Sequence, residues 1–240
     1  MFDQSTHDAG GAHPPTQPPG PMRENAPYSI PWQNRDAYPS ALRAMWETIK
    51  VVLFEPSRAF WNVQVQGALP RALVFVLILG SVGGIIAQVY NAAFQIGSQK
   101  MLFSLMGQAP PDMPGAEIAA VVGLVIGTIL VPVAVVIGSF VASGVFHLML
   151  MMLGANKNGF EATYCVVAYA QGATALLQVV PVMGGIVALV WQIVVCIIGL
   201  SYVHKITSGQ AVAAVLVPMA FCCLAPILVM VGLVALPFVL

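Results

Sequence analysis

Residues 118–153 read IAAVVGLVIGTILVPVAVVIGSFVASGVFHLMLMML, 36 residues without an Asp, Glu, Lys or Arg, and how this run divides decides the fold. As one helix it would measure about 54 Å at 1.5 Å per residue. A membrane's hydrocarbon layer is only some 30 Å thick and is crossed by about 20 apolar residues. The run is therefore either one long helix bent at Pro132 or two short spans.

Basic residues arbitrate. Four further apolar runs are long enough to cross: 72–94, 162–180, 185–203 and 211–236. If 118–153 is one helix, the chain has five spans, and the basic N-terminal segment shares a side with Lys157 and Lys205, leaving Lys100 opposite. If it is two, all three lysines fall opposite that segment. Cytoplasmic loops retain the excess of Lys and Arg, so five spans are expected, with the N-terminus cytoplasmic and the C-terminus outside a cell (inner) membrane.

Composition points the same way. The chain is 59% hydrophobic and 8% charged, where soluble domains carry about 25% charged residues, and a soluble fold could not hide so much apolar surface. Net charge is zero and the nine basic residues are scattered, so nucleic acid is not an expected partner. Cys165, Cys196, Cys222 and Cys223 lie in apolar runs without CxxC spacing and read as small core hydrophobes. No basic cluster followed by an apolar core opens the chain, so the first span is expected to direct insertion.

The water-facing part divides in two. Residues 1–30, rich in Pro and Gly, have little to bury and are expected to be disordered; Pro15-Thr-Gln-Pro18 fits PxxP but reads as linker. From 31 to 70 the chain is expected to lie at the interface. Leu42, Met45, Trp46, Ile49, Val52 and Leu53 recur at helical spacing opposite Arg43, Glu47 and Lys50, and Pro56 separates a second turn carrying Arg58, Phe60 and Trp61. The transmembrane domain follows over 71–240.

Small residues four apart, namely Gly80/Gly84, Gly123/Gly127, Ser139/Ser143 and Ala168/Gly172, are candidates for close helix packing. Polar groups inside lipid are costly and mark function more often. Five spans bring His147, Glu161 and His204 to one leaflet, where a proton or metal site would use histidine. The bland reading is that Glu161 favours the positive end of its own helix and His204 reaches interfacial water. His147 is then the buried one, with Tyr169 and Gln171 as hydrogen-bond partners. Gln88, Asn91, Gln178 and Gln192 read as glue between helices. HExxH, GxSxG and phosphate-loop patterns are missing, so neither catalysis nor a cofactor is expected.

The order of features resembles the YIP1 family, above all its bacterial branch. Carrying the likeness are Pro31-Trp32, Glu55-Pro-Ser-Arg-Ala-Phe-Trp61, Ser143-Gly-Val-Phe-His147, Gly154, Gly159-Phe-Glu-Ala-Thr163, Ala168-Tyr169, Pro181-Val-Met-Gly184-Gly185, Ile198-Gly199-Leu200, His204, Gly209-Gln-Ala211 and Pro218. It covers about 31–226 and implies five spans with a cytoplasmic N-terminus. Eukaryotic members act in vesicle traffic between endoplasmic reticulum and Golgi, binding Rab GTPases and one another. Their Asp-Leu-Tyr-Gly-Pro signature is missing here, so trafficking carries over only as an analogy of fold. The expectation is a non-enzymatic membrane scaffold whose partners are the bilayer, itself or other membrane proteins. The alternative is a small channel or transporter lined around His147, Glu161, Tyr169 and Gln171.

Overall fold

The computed structural model describes residues 28–107, 115–181 and 183–239, without the side chains of 116, 117, 223 and 225–239. The tail expected to be disordered, with its PxxP, lies outside the described residues apart from 28–30. A 3-10 turn over Pro31–Ala37 leads into α1 (Ala41–Phe54) and α2 (Pro56–Trp61). Five longer helices follow: α3 (Leu69–Leu105), α4 (Ala116–Met152), α5 (Gly159–Ala175), α6 (Gly184–His204) and α7 (Ser208–Val239). Among the described residues there is no strand.

Pro132 does not divide 118–153: α4 is a single helix with the proline inside it, as the five-span reading requires. Leu69–Leu105, Ile118–Met152 and Gly184–His204 are each long and apolar enough to cross a membrane. The 17-residue α5 and the stretch Ser208–Cys222 of α7 are shorter. A 3-10 turn, Leu176–Val179, lengthens α5 at its far end.

The backbone of Leu69 donates to Glu161 Oε1 at 2.8 Å and the Asn158 side chain reaches the Val203 carbonyl, so α3 and α5 start where α6 ends. At the other end the Tyr90 hydroxyl donates to the Val179 carbonyl at 3.1 Å. The bundle is therefore bounded by Leu69 and Tyr90 on α3, about 31 Å apart along a helix and close to one hydrocarbon thickness.

α5 is the axis. Its residues from Ala162 to Ala170 are all buried, enclosed by α1, α3, α4 and α6. This explains why the most polar span, with Thr163, Tyr164, Tyr169 and Thr174, is tolerated: it faces protein, not lipid. Its small residues admit close neighbours. Gly172 takes the Phe75 ring, and on the facing helix a Cβ at Gly83 would collide with the Ala175 backbone carbonyl. Gly80 and Gly84 likewise meet Val135 and Val131 of α4, whereas Gly123 faces open space. Close packing thus holds for some of the spaced pairs and not for others.

The segment before α3 is strapped to this bundle. Ala44, Thr48, Ile49, Val52 and Leu53 of α1 enter the common core, and Trp191 Nε1 of α6 donates to the Leu53 carbonyl at 3.0 Å. Trp32 donates its backbone N–H to Thr48 Oγ1 and its indole N–H to the Arg71 carbonyl, each at 2.8 Å. Gln33 and Gln64 exchange two hydrogen bonds, at 3.0 and 2.8 Å, and Arg71 Nη1 donates to both residues. The apolar stripe expected to face lipid as a unit is therefore shared. Ile49, Val52 and Leu53 turn inward, while Leu42 and Trp46 turn outward beside Arg43 and Lys50.

Cys165 and Cys196 are buried as expected, but Cys222 is exposed. α7 packs chiefly on α4 and α6, and among its described residues Phe221 and Leu224 are exposed.

Candidate functional site

The polar residues at the N-terminal end of the bundle separate into three places. The first is a hydrogen-bonded chain. His204 Nδ1 lies 3.3 Å from the backbone nitrogens of Lys157 and Asn158, both of which can only donate, so Nδ1 carries no proton. The proton of this neutral ring is then on Nε2, which donates to Thr163 Oγ1 at 3.0 Å. Thr163 in turn has its hydroxyl proton for His147 Nδ1, 3.3 Å away. His147 stands edge-on to the Phe160 ring, with centroids 5.5 Å apart.

Around this chain the loop between α4 and α5 closes the end of α6. The last carbonyls of a helix have no partner within it. Here Asn158 Nδ2 donates to the Val203 carbonyl and Lys157 Nζ to that of Lys205 at 3.1 Å, bringing a positive charge to the negative helix end. The loop can turn this way because Gly154 (φ 63) and Gly159 (φ 77) flank it in the left-handed region. Both glycines belong to the motifs quoted above, and their conformation is the physical reason for them.

The two histidines exchange the roles expected of them. His204 is fully buried, not in contact with interfacial water, and His147 is half-buried. The reason is that the 153–158 loop folds over the end of α6 and covers His204. Thr163, which the sequence marks only as the end of Gly159-Phe-Glu-Ala-Thr163 and not as a polar partner, joins the rings, because a threonine in an apolar run has no local sign of what it meets across the bundle.

Glu161 forms the second place. Its carboxylate lies in the first turn of α5 and also accepts from Leu69 N–H, so it serves the positive ends of two helices, not the histidine chain. Glu161→Ala is expected to cost about 1–2 kcal/mol, as loss of a helix cap does, and Glu161→Gln, which keeps an acceptor, less. Thermal unfolding in detergent checks this; equal stability of both variants with wild type would contradict the capping role.

Tyr169 marks the third. Its ring packs 5.1 Å from that of Phe75, and its hydroxyl, buried without a hydrogen-bond partner among the described residues, lies beside Gln33 and near Arg71. It is thus turned away from His147. Gln171 is half-buried, and no hydrogen bond among the described residues joins it to either histidine. Among the described residues no three His, Cys, Asp or Glu side chains group as metal ligands. What the His147–Thr163–His204 chain does chemically is fix two tautomers and hold one loop.

The chain matches the Yip1 domain family over residues 50–234. No curated protein and no solved structure matches it.

Proposed function

The chain belongs to the YIP1 family, and from that premise we propose that this membrane protein is a non-enzymatic organiser of the bilayer or of neighbouring membrane proteins, working through the outward surface of α1 and α2. One observation carries the reading: α1 is held to the bundle by its inner face, yet Leu42, Trp46 and Phe54 remain 73%, 53% and 78% exposed. Trp61 extends this surface from α2, and Arg43, Glu47 and Lys50 form an ion-paired row beside it, with N···O distances of 3.0 and 2.6 Å. Aromatic rings next to cations suit the headgroup layer or a partner seated there. The N-terminal end of the bundle is read as cytoplasmic and the membrane as the cell (inner) membrane, following the basic residues. Against a channel lined by His147, Glu161, Tyr169 and Gln171 stands their division among separate places in a packed interior.

Changing Leu42, Trp46 and Phe54 together to Glu is expected to abolish deformation of liposomes and to change the neighbours captured by proximity labelling. Because all three point outward, the thermal unfolding of the variant should stay near that of wild type. Unchanged membrane shape and an unchanged set of neighbours would overturn the proposal. Proton or solute flux through reconstituted vesicles, lost in His147→Ala, would establish the channel instead.

A further inference from the structure

The last carbonyls of a helix have no partner within it, and where a helix ends in water the solvent supplies one. α1 ends differently. Its Leu53 carbonyl accepts from Trp191 Nε1 at 3.0 Å, a donor that belongs to a membrane span. Trp191 stands about 20 Å from His204 along α6, close to the middle of a hydrocarbon layer some 30 Å thick.

The contacts of this segment with α6 form a ladder. Leu53 meets Trp191, the Phe60 ring covers Gly199 about 8 Å from His204, and the Trp61 ring lies 6.0 Å from that of Tyr202, about 3 Å from His204. At the start of the ladder Thr48 bonds to Trp32, whose indole is tied to the Arg71 carbonyl near the N-terminal end of α3. The chain therefore descends beside α6 with α1, turns at Glu55-Pro56 and climbs back with α2.

The turn is fitted to an apolar surrounding. Pro56 has no N–H to leave unpaired, and Glu55 donates its own to the Val51 carbonyl at 2.9 Å. Glu55 and Arg58 pair at 2.8 Å, and a turn earlier Lys50 and Glu47 pair at 2.6 Å, as charges below the headgroups do. Phe54 at the tip is exposed, as are Val187 and Val190 on the turn of α6 that leads to Trp191. The tip thus continues the lipid-facing surface of α6.

We propose that α1 and α2 form a wedge in the cytoplasmic leaflet, with Phe54 at its tip among the acyl chains and the opposite leaflet left unentered. The wedge rests on the reading of α1 and α2 as the working surface and gives that surface its partner, acyl chains and not headgroups alone. Area added to one leaflet expands that leaflet, which is the means of deformation the reading requires.

Spin labels read the depth. Phe54→Cys and Gln66→Cys are each labelled in the full chain carrying Cys222→Ser and Cys223→Ser, with Cys165 and Cys196 buried, and reconstituted in phosphatidylcholine vesicles. At 54, collisions with oxygen, which concentrates among acyl chains, should exceed those with a water-soluble nickel chelate; at 66 the order should reverse. Both side chains are exposed, so thermal unfolding of the two variants should match that of wild type. Nickel access at 54 equal to that at 66 would overturn the wedge, while loss of liposome deformation in the Leu42, Trp46 and Phe54 variant would still support an organiser. A label at acyl depth together with unchanged deformation in that variant would remove the organiser and keep the insertion.

Discussion

Gly83→Ala is expected to destabilise the bundle by about 1–3 kcal/mol, the range for overpacking a close-packed interior, while Gly97→Ala in the same helix is neutral or stabilising by up to about 1 kcal/mol. The substitution is identical and the sign differs because the surroundings differ. A Cβ at Gly83 would overlap the Ala175 backbone carbonyl, which cannot rotate away as a flexible side chain can. At Gly97 the nearest foreign atom is beyond 4 Å, and only the helix preference of alanine remains. Since α5 is enclosed by α1, α3, α4 and α6, pushing α3 off α5 loosens the whole interior. Denaturation of both variants in the same detergent decides it. Gly83→Ala at least as stable as Gly97→Ala would mean that the two helices do not approach so closely.

His204→Ala is expected to be the most damaging change at the polar end, at about 4 kcal/mol, and His147→Ala to cost about 1 kcal/mol. Removing a fully buried ring leaves a cavity, for which large-to-small substitutions cost about 2–5 kcal/mol. It also strips the acceptor from Lys157 and Asn158 N–H and the partner from Thr163. His147, half-buried, loses one bond of 3.3 Å and one edge contact with Phe160. Hydrogen exchange supplies a second measure: the amides of Lys157 and Asn158 should lose protection in His204→Ala and keep it in His147→Ala. The reverse order of damage would restore the sequence-based view that His147 is the buried partner.

These two cases show what kind of information a linear pattern holds. The two helices on either side of Lys157 were legible because hydropathy is summed over neighbours in the chain, and an apolar run of span length has few alternatives in lipid. Glu161 lies in the first turn of α5, a placement visible in the sequence because the favourable position of an acid at a helix start is local. Its second role, at the start of α3, joins residues 92 apart and has no local trace. The sequence puts Tyr169 and Gln171 at a depth near that of His147, but position along a helix gives depth without azimuth. In the bundle Tyr169 points toward Phe75, Gln33 and Arg71.

By itself the sequence determined a membrane-embedded all-helical bundle, the likeness to the YIP1 family and, through nine basic residues, a preference for five spans over six. Only the tertiary structure decided that α5 is the buried axis, that α1 shares its apolar stripe between bundle and surroundings, and that His204 is sealed under a loop while His147 is not. The physical reason is that burial in lipid and burial in protein select the same apolar residues. Hydropathy separates both from water, and only packing separates one from the other.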